Sequence, residues 1–342
     1  MDPSKLPYAT PELPGVAAAI KVQPEDFRVD EIPLYPPSGE GEHLFVHVEK
    51  IGRDTLHVAR DLARALGVSP REVGIAGQKD RHAVTTQWMS FPGVSPEAAE
   101  GLAGEGFRVL TAVRHGNKLR TGHLRGNRFR ILLRGASDAE AVARTARALE
   151  ERGLPNYFGA QRFGRSGENA ALGRELLRGT PSGKGVRDRR LQKLLLSALQ
   201  SEIFNGVLAR RLEEGTWDRP QAGDVLQRLE TGGLFVCEDP EVDGPRVASF
   251  ECSVTGPLPG PKMRPRPRGE PAALEEAVLR EAGLEAEDFA RRRETPGARR
   301  PFRLPVRIEV EEDPEGVALS FELPSGAYAT SVLREIVKDA SL

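Results

Sequence analysis

The sequence predicts an α+β protein in which a strand-rich domain, residues 1–152 and 302–342, is interrupted by a helix-rich α/β insertion over 153–301. Three observations carry that reading. Alternating, β-branched stretches crowd the N-terminal part of the chain, while apolar stripes of helical period occupy the middle. Alternation then returns near the C-terminus: Val306, Ile308 and Val310, a turn at Asp313-Pro314-Glu315-Gly316, then Val317, Leu319 and Phe321, a strand hairpin. Ends of one character around a middle of another describe a chain that leaves a sheet and later returns to it.

Taken in order, a Pro-rich leader (Pro3, Pro7, Pro11, Pro14) precedes short strands at Ala17 to Val22 and Phe27 to Ile32, separated by the turn chemistry of Gln23-Pro24-Glu25-Asp26. His43 to Lys50 alternates as a half-buried strand does, with Leu44, Val46 and Val48 on one face. Asp54 or Thr55 caps a helix whose apolar positions Leu56, Ala59, Leu62, Ala63 and Leu66 run to Gly67, and Ser69-Pro70-Arg71-Glu72 has the form of a capping box opening a brief helical turn. Val73 to Ala76 and Val84 to Trp88 are short strands. Asn127 to Arg134 alternates again, Asn127, Phe129, Ile131 and Leu133 on one face and Arg128, Arg130 and Arg134 on the other. Ser137-Asp138-Ala139-Glu140 caps a helix to about Glu151.

The middle reads as helices at Asn169 to Leu177, Leu191 to Leu212, Ala272 to Ala282 and Ala286 to Arg293, with a Pro- and Arg-rich loop from Pro257 to Gly269. Leu194, Leu195, Leu199, Ile203, Phe204, Val207 and Leu208 form the apolar stripe of the longest. Gly183 to Lys193 brings Lys184, Arg187, Arg189, Arg190 and Lys193 to that helix's entrance, and Arg291 to Arg303 is a further basic run.

Composition narrows the class. With 342 residues, 39% of them hydrophobic, the chain is long enough for two cores. It contains no apolar run of the roughly 18 residues that a spanning helix needs, and its N-terminus has no apolar signal core, so a soluble protein without membrane attachment is expected. Cys237 and Cys252 stand apart from any Cys/His cluster, which indicates neither a disulfide framework nor a zinc site; buried free thiols fit a reducing cytoplasm. The net charge of -1 conceals strong clustering: between Gly106 and Ser137 there is no acidic residue, while Arg108, Arg114, Lys118, Arg120, Arg125, Arg128, Arg130 and Arg134 accumulate. That mixture of cations with Gly, Asn, Thr and Phe suits phosphate contacts and base stacking, though a single-sign run also serves as a solvated face.

One stretch carries the chemistry. In Gly74-Ile75-Ala76-Gly77-Gln78-Lys79-Asp80-Arg81-His82-Ala83-Val84-Thr85-Thr86-Gln87-Trp88 a carboxylate stands between two cations on a tight connection between strands. Neighbouring cations favour its ionised form, which equips Asp80 as a nucleophile or base; a solvated charged turn has the same composition.

The run Ala76, Gly77, Lys79, Asp80, Ala83, Thr85, Gln87 resembles the active-site motif Ala-Gly-x-Lys-Asp-x-x-Ala-x-Thr-x-Gln of the TruD family of pseudouridine synthases, and the resemblance assigns the catalytic role to Asp80. Further stretches resemble the same family. Lys21 to Glu31 matches Lys-x-x-Pro-Glu-Asp-Phe-x-Val-x-Glu, which implies that Glu25 and Phe27 approach the target nucleotide; on the residues alone an aromatic at Phe27 is more often a core side chain than a ligand contact. Asn117 through Phe129 matches Asn-Lys-Leu-Arg-x-Gly-x-Leu-x-Gly-Asn-x-Phe, implying that Asn127 bonds a flipped base on which Phe129 stacks, where the plain alternative is that Phe129 joins Ile131 and Leu133 in the core. Pro155-Asn156-Tyr157-Phe158-Gly159-x-Gln161-Arg162-Phe163-Gly164 and the closing stretch Leu323 to Glu335 also match, the latter with Tyr328 where an aromatic near the substrate is expected. By this resemblance Lys79 joins the substrate contacts and Lys118, Arg120 and Arg162 touch the RNA backbone. The fold it implies is the pseudouridine synthase fold, a mixed, mainly antiparallel sheet with helices in a discontinuous catalytic domain, and the substrate it implies is tRNA, at uridine 13 in bacterial members.

Isomerising uridine to pseudouridine breaks the bond from ribose C1′ to N1, turns the uracil and rejoins it through C5, with no redox step or external group, so no cofactor and no metal are expected. Unstacking the uridine costs a few kcal/mol, of which an aromatic platform returns about 1–3 kcal/mol per base. A metal-dependent nuclease using Asp80 with distant carboxylates and a non-catalytic RNA-binding protein are the competing classes. No obligate protein partner is evident.

Overall fold

The structure, a computed structural model, describes residues 5–164, 166–180, 186–290, 292 and 294–339; Pro3, Gly183, Lys184, Arg291 and Arg293, named above, lie outside them. In chain order, β1 (Phe27–Pro33), β2 (His43–Ile51), α1 (Thr55–Ala65), β3 (Gly74–Ile75), β4 (Val84–Pro92), α2 (Pro96–Ala99), β5 (Ala103–Gly104), β6 (Phe107–His115) and β7 (Leu124–Arg134) lead into α3 (Ala139–Arg152). There follow β8 (Leu154–Pro155), α4 (Asn169–Arg178), α5 (Arg189–Glu213), β9 (Val225–Arg228), β10 (Leu234–Val236), α6 (Pro240–Ala248), β11 (Cys252–Leu258), α7 (Gly269–Glu281), β12 (Ala298–Pro301) and β13 (Arg303–Leu304). The chain closes with β14 (Ile308–Asp313), β15 (Gly316–Pro324) and α8 (Ala329–Val337).

Two compact units emerge, one of residues 16–146 with 307–327, the other of 1–15, 147–306 and 328–342. In the first, the described strands make one nine-stranded sheet in the order β14-β15-β7-β1-β4-β2-β6-β5, with β3 also on β4. β1 and β4 run parallel and every other pairing is antiparallel, so the sheet is mixed and mainly antiparallel. The closing hairpin β14-β15 lies beside β7. On one face α1 buries Val58, Ala59, Leu62 and Ala63 against Leu44, Val46, Val48, Met89 and Phe91. Its start is held by the Asp54 carboxylate, which accepts from the Leu56 amide at 2.8 Å.

In the second unit α4 packs on α5, whose Leu195, Leu199, Ile203, Phe204, Val207 and Leu208 are buried. A four-stranded sheet β10-β9-β11-β12 and the pair β13-β8 complete it. Helix α8 binds the N-terminal segment, the Glu335 carboxylate accepting from the Ala9 amide at 2.9 Å and the Thr10 hydroxyl at 2.9 Å.

Where element predictions and structure part, the cause is local. Ala17 to Val22 forms no strand: Ala19 bridges Arg134, but Lys21 adopts φ +58°, which ends extended backbone. The segment from Ala286 forms only a 3₁₀ turn to Phe289, whereas Ser69 to Glu72 closes as the brief turn expected, the Glu72 amide on the Ser69 carbonyl at 2.9 Å. β6 escaped sequence reading because its burial does not alternate strictly, and α6 because it contains Gly244 and Pro245.

Gly126 marks a tight strand contact, since a Cβ there would lie 2.3 Å from the Leu323 carbonyl oxygen of β15. Gly126→Ala is expected to force β15 away from β7 and lower stability by about 1–3 kcal/mol; urea denaturation checks it as a reduced midpoint at unchanged slope.

Candidate active site

Asp80 lies on the connection from β3 to β4, its side chain 34% exposed. The Lys21 ammonium pairs with Oδ2, and the His82 amide donates to Oδ1 at 3.1 Å. Burial by itself would raise the carboxyl's pKa; the hydrogen bond and charge of Lys21, the His82 amide and the charge of the His82 ring outweigh it, and Asp80 titrates below the ordinary carboxylate value. An ionised carboxylate at neutral pH results. Nζ of Lys21 also stands 4.2 Å from the centroid of the Phe27 ring, a cation–π contact that links Asp80 to β1.

Side chains from the sheet secure the connection from within. The Lys79 amide donates to Thr55 Oγ1 at 3.0 Å, that hydroxyl donates to Gln87 Oε1 at 2.8 Å, and Gln87 Nε2 donates to the Gly77 carbonyl at 3.4 Å. The Lys50 ammonium reaches the Asp80 carbonyl at 2.7 Å. Lys79, expected among the substrate contacts, has its ammonium 2.6 Å from the Glu31 carboxylate, the two side chains 5% and 1% exposed. The other Glu31 oxygen accepts the Trp88 amide at 3.2 Å. Lys79 is thus turned inward, and its neighbour Asp80 outward.

Register gathers the remaining residues of this unit. Val29 pairs with both Thr85 and Phe129, Thr85 with Lys50, Phe129 with Phe321, and Glu31 with Asn127, so all of these occupy one face of the sheet. Phe27 and Phe129 meet edge-on at 6.3 Å, and Phe129 stacks on Phe321 at 5.3 Å. Both Phe27 and Phe129 are largely buried, at 4% and 6% exposure, while Oδ1 of Asn127 is buried without a hydrogen-bond partner among the described residues. Glu25 is exposed on the 3₁₀ turn Pro24–Asp26 that leads into β1. Lys118 and Arg120 belong to the β6–β7 loop, which is tied to the Asp80 segment by the Gly122 amide on the Ala76 carbonyl at 2.8 Å. Lys118 donates to the Arg71 carbonyl at 3.4 Å; Arg120 is exposed. Among the described residues no three His, Cys, Asp or Glu side chains gather as a metal site.

Several cations of the basic run are paired with carboxylates in the folded sheet. Arg108 pairs with Glu49 at 2.8 Å, Arg128 with Glu322 at 2.6 Å, Arg130 with Glu311 at 3.0 Å and Arg134 with Asp26 at 2.7 Å. Arg128 and Arg130 alternate with Asn127 and Phe129 and therefore lie on the reverse face of the sheet.

Comparison with known proteins decides the family. The family model described as tRNA pseudouridine synthase D (TruD) matches residues 5–184 and 185–336. The chain belongs to the TruD family. It is 52% identical over 336 residues to the tRNA pseudouridine synthase D of Anaeromyxobacter sp. (strain Fw109-5), covering 97% of this chain and 96% of that one. Against a protein of the same name from Thermus thermophilus it is 47% identical over 348 residues, covering 99% and 94%. The crystal structure of a Methanosarcina mazei protein assigned as tRNA pseudouridine synthase D superposes with a TM-score of 0.80 at 26% identity, over 97% of this chain and 96% of that one. As a TruD-family member the chain is an enzyme, a pseudouridine synthase.

The other unit of this TruD-family chain carries Tyr328 and Arg162. Tyr328 immediately precedes α8 and meets the Phe158 ring edge-on at 6.0 Å; Arg162 lies over the same ring at 5.6 Å and donates to Ser201 at 3.2 Å and to Ser197. Asn205 clamps Phe158 by its main chain, accepting from its amide and donating to its carbonyl, both at 2.9 Å. Arg187, Arg189, Arg190 and Lys193 are exposed at the start of α5.

Sequence reading passed over Lys21, Glu31, Thr55, Lys50 and Phe158 as site residues. Lys21, Glu31 and Phe158 stood inside motifs already matched, and Lys50 left a signal of its own: it continues the Leu44, Val46, Val48 face of an alternating strand, where an apolar residue belongs. Thr55 left none beyond its helix-cap position.

Glu31→Ala leaves the Lys79 ammonium buried without its counter-charge and is expected to cost about 3–5 kcal/mol. Urea denaturation measures it, with the double variant Glu31→Ala/Lys79→Met recovering part of the loss.

Proposed function

We propose that the chain converts a uridine of tRNA to pseudouridine, uridine 13 by its family resemblance, with Asp80 as the essential carboxylate. The observation that carries this reading is the Asp80–Lys21–Phe27 arrangement: an ionised carboxylate held by a cation that itself lies over an aromatic ring. Asp80 acts on the nucleoside, the C1′–N1 bond breaks, the uracil turns, a bond forms from C1′ to C5, C5 gives up its proton and N1 takes one up. Reactant and product are isomers, so no external group enters the balance.

The other roles follow from chemistry. Phe129, on the same sheet face, offers a surface for the uracil, and the unpaired Asn127 amide oxygen suits the N3–H donor of that base. Phe27 lies beneath Lys21, and Glu25 stands on the exposed turn next to it. Tyr328 supplies a second aromatic, while Lys118, Arg120 and Arg162 meet phosphates. Lys79 serves the site by pinning the connection to Glu31 rather than by touching substrate. The strand-rich segments 1–152 and 302–342 would be the catalytic domain and 153–301 its insertion, in a protein that works in the cytoplasm.

The test is pseudouridine mapping by carbodiimide labelling and primer stop on unmodified tRNA incubated with the protein in EDTA. One new stop, lost in Asp80→Asn while tRNA binding persists, is expected. An active Asp80→Asn protein refutes the assignment, binding without any stop favours a binding module, and cleavage that requires magnesium favours a nuclease.

Ionised Asp80 also sets the acid side of the pH profile. Because Lys21 holds the carboxyl below its ordinary pKa, activity persists as pH falls until that depressed value is reached. Lys21→Met removes the cation, so the acid limb of kcat is expected to move to higher pH, which single-turnover rates across the acid range measure.

A further inference from the structure

Lys50 is wholly buried, at 0% exposure, on the face of β2 that carries Leu44, Val46 and Val48. An ammonium in such a place is costly unless oxygen meets it. Its neighbours across the sheet are neutral, Thr85 on β4 and Phe107 on β6. The charged groups that face it are Asp80 and Lys79 on the connection and Asp54, the cap of α1, with Glu31 of β1 behind Lys79. Among the described residues no carboxylate lies within ion-pair distance of it. What its ammonium does meet is main chain: the Asp80 carbonyl at 2.7 Å and the Lys79 carbonyl at 3.5 Å.

We propose that Lys50 is a positioning residue for the reaction: protonated, it grips the carbonyls of Lys79 and Asp80 and so fixes the direction in which the Asp80 carboxylate projects. Lys21 and Lys50 then divide the work. Lys21 holds the carboxylate and Lys50 the backbone beneath it. This rests on the reading of Asp80 as the reacting carboxylate.

The grip depends on a proton. Burial pulls the Lys50 pKa down to about 8, against the attraction of Asp80 and Asp54 and with the repulsion of Lys79. Below that pH the ammonium makes charge-assisted hydrogen bonds to the carbonyls; above it a neutral amine makes bonds about half as strong. Turnover therefore falls on the alkaline side as Lys50 loses its proton.

Two measurements on the full chain test this. Single-turnover pseudouridine formation on an unmodified tRNA transcript is followed from below to above about pH 8, and hydrogen exchange of peptides covering residues 76–83 is followed over the same range after correction for intrinsic rates. The wild-type rate is expected to fall along an alkaline limb as exchange in 76–83 rises, with transcript binding unchanged. Lys50→Met is expected to lower kcat by about a hundredfold with little change in KM, abolish the limb and leave 76–83 exchanging fast at every pH; Lys50→Arg, charged throughout, restores part of the rate without the limb. A wild-type protein whose rate and exchange are both flat through this range overturns the proposal, as does a Lys50→Met protein with wild-type rate and exchange. If Lys50→Met fails to fold, the wild-type profile decides. If wild-type protein forms no pseudouridine, the functional reading fails, and the exchange data still tell whether Lys50 holds the connection.

Discussion

A cation buried in a sheet is tolerable only where oxygen receives its charge, and this requirement shapes the connection that bears Asp80. Lys79 meets the Glu31 carboxylate and Lys50 the carbonyls of Lys79 and Asp80. Thr55 and Gln87 take the neighbouring amide and carbonyl. A segment with little ladder of its own is thereby fastened to β1, β2, β4 and the start of α1. Catalytic geometry asks for such fastening, since a displacement of about 1 Å can cost about a hundredfold in rate. The alternation of Lys79 inward and Asp80 outward means that each anchoring contact also defines the exposed carboxylate.

Strand parity separates two kinds of surface within the same sheet. One face holds Val29, Thr85, Phe129 and Phe321 in a cross-strand row, with Asn127 and Glu31 one pair further on. On the reverse face Arg108, Glu49, Arg28 and Asp30 pair in succession across β6, β2 and β1, and Arg128 pairs with Glu322 across β7 and β15. Exposed pairs of this kind add little stability individually, but they use up the positive charge that the linear sequence concentrates there. Cations open to a polyanion are found on loops and at a helix start instead: Arg120, and Arg187 to Lys193 before and within the first turn of α5.

The second unit applies the same rule to its own interior. Arg211 meets Asp224 at 2.8 Å and Arg299 meets Glu275 at 2.7 Å, both pairs nearly inaccessible to solvent. Asn205 satisfies both main-chain groups of Phe158, which fastens the Gly-punctuated aromatic turn beside Tyr328 and Arg162 between β8 and the 3₁₀ turn Ala160–Phe163. Polar side chains reaching main chain are thus the common device by which both units hold irregular segments that carry motif residues.

Much of this was legible in order along the chain. Alternation located β2, β7 and the closing hairpin, β-branched and aromatic bias located β4, a capping signal α3, and helical spacing α1 and α5, because solvent on one side and core on the other impose those periods residue by residue. The motif around Asp80 disclosed the family. What the linear string leaves open is which face meets which. The inward turn of Lys79, the partners of Lys50 and the neutralisation of Arg108, Arg128, Arg130 and Arg134 all depend on cross-strand register between segments far apart in sequence, as Glu322 is from Arg128. A charge has no meaning for binding until its counter-charges are known, and only the folded sheet brings those together.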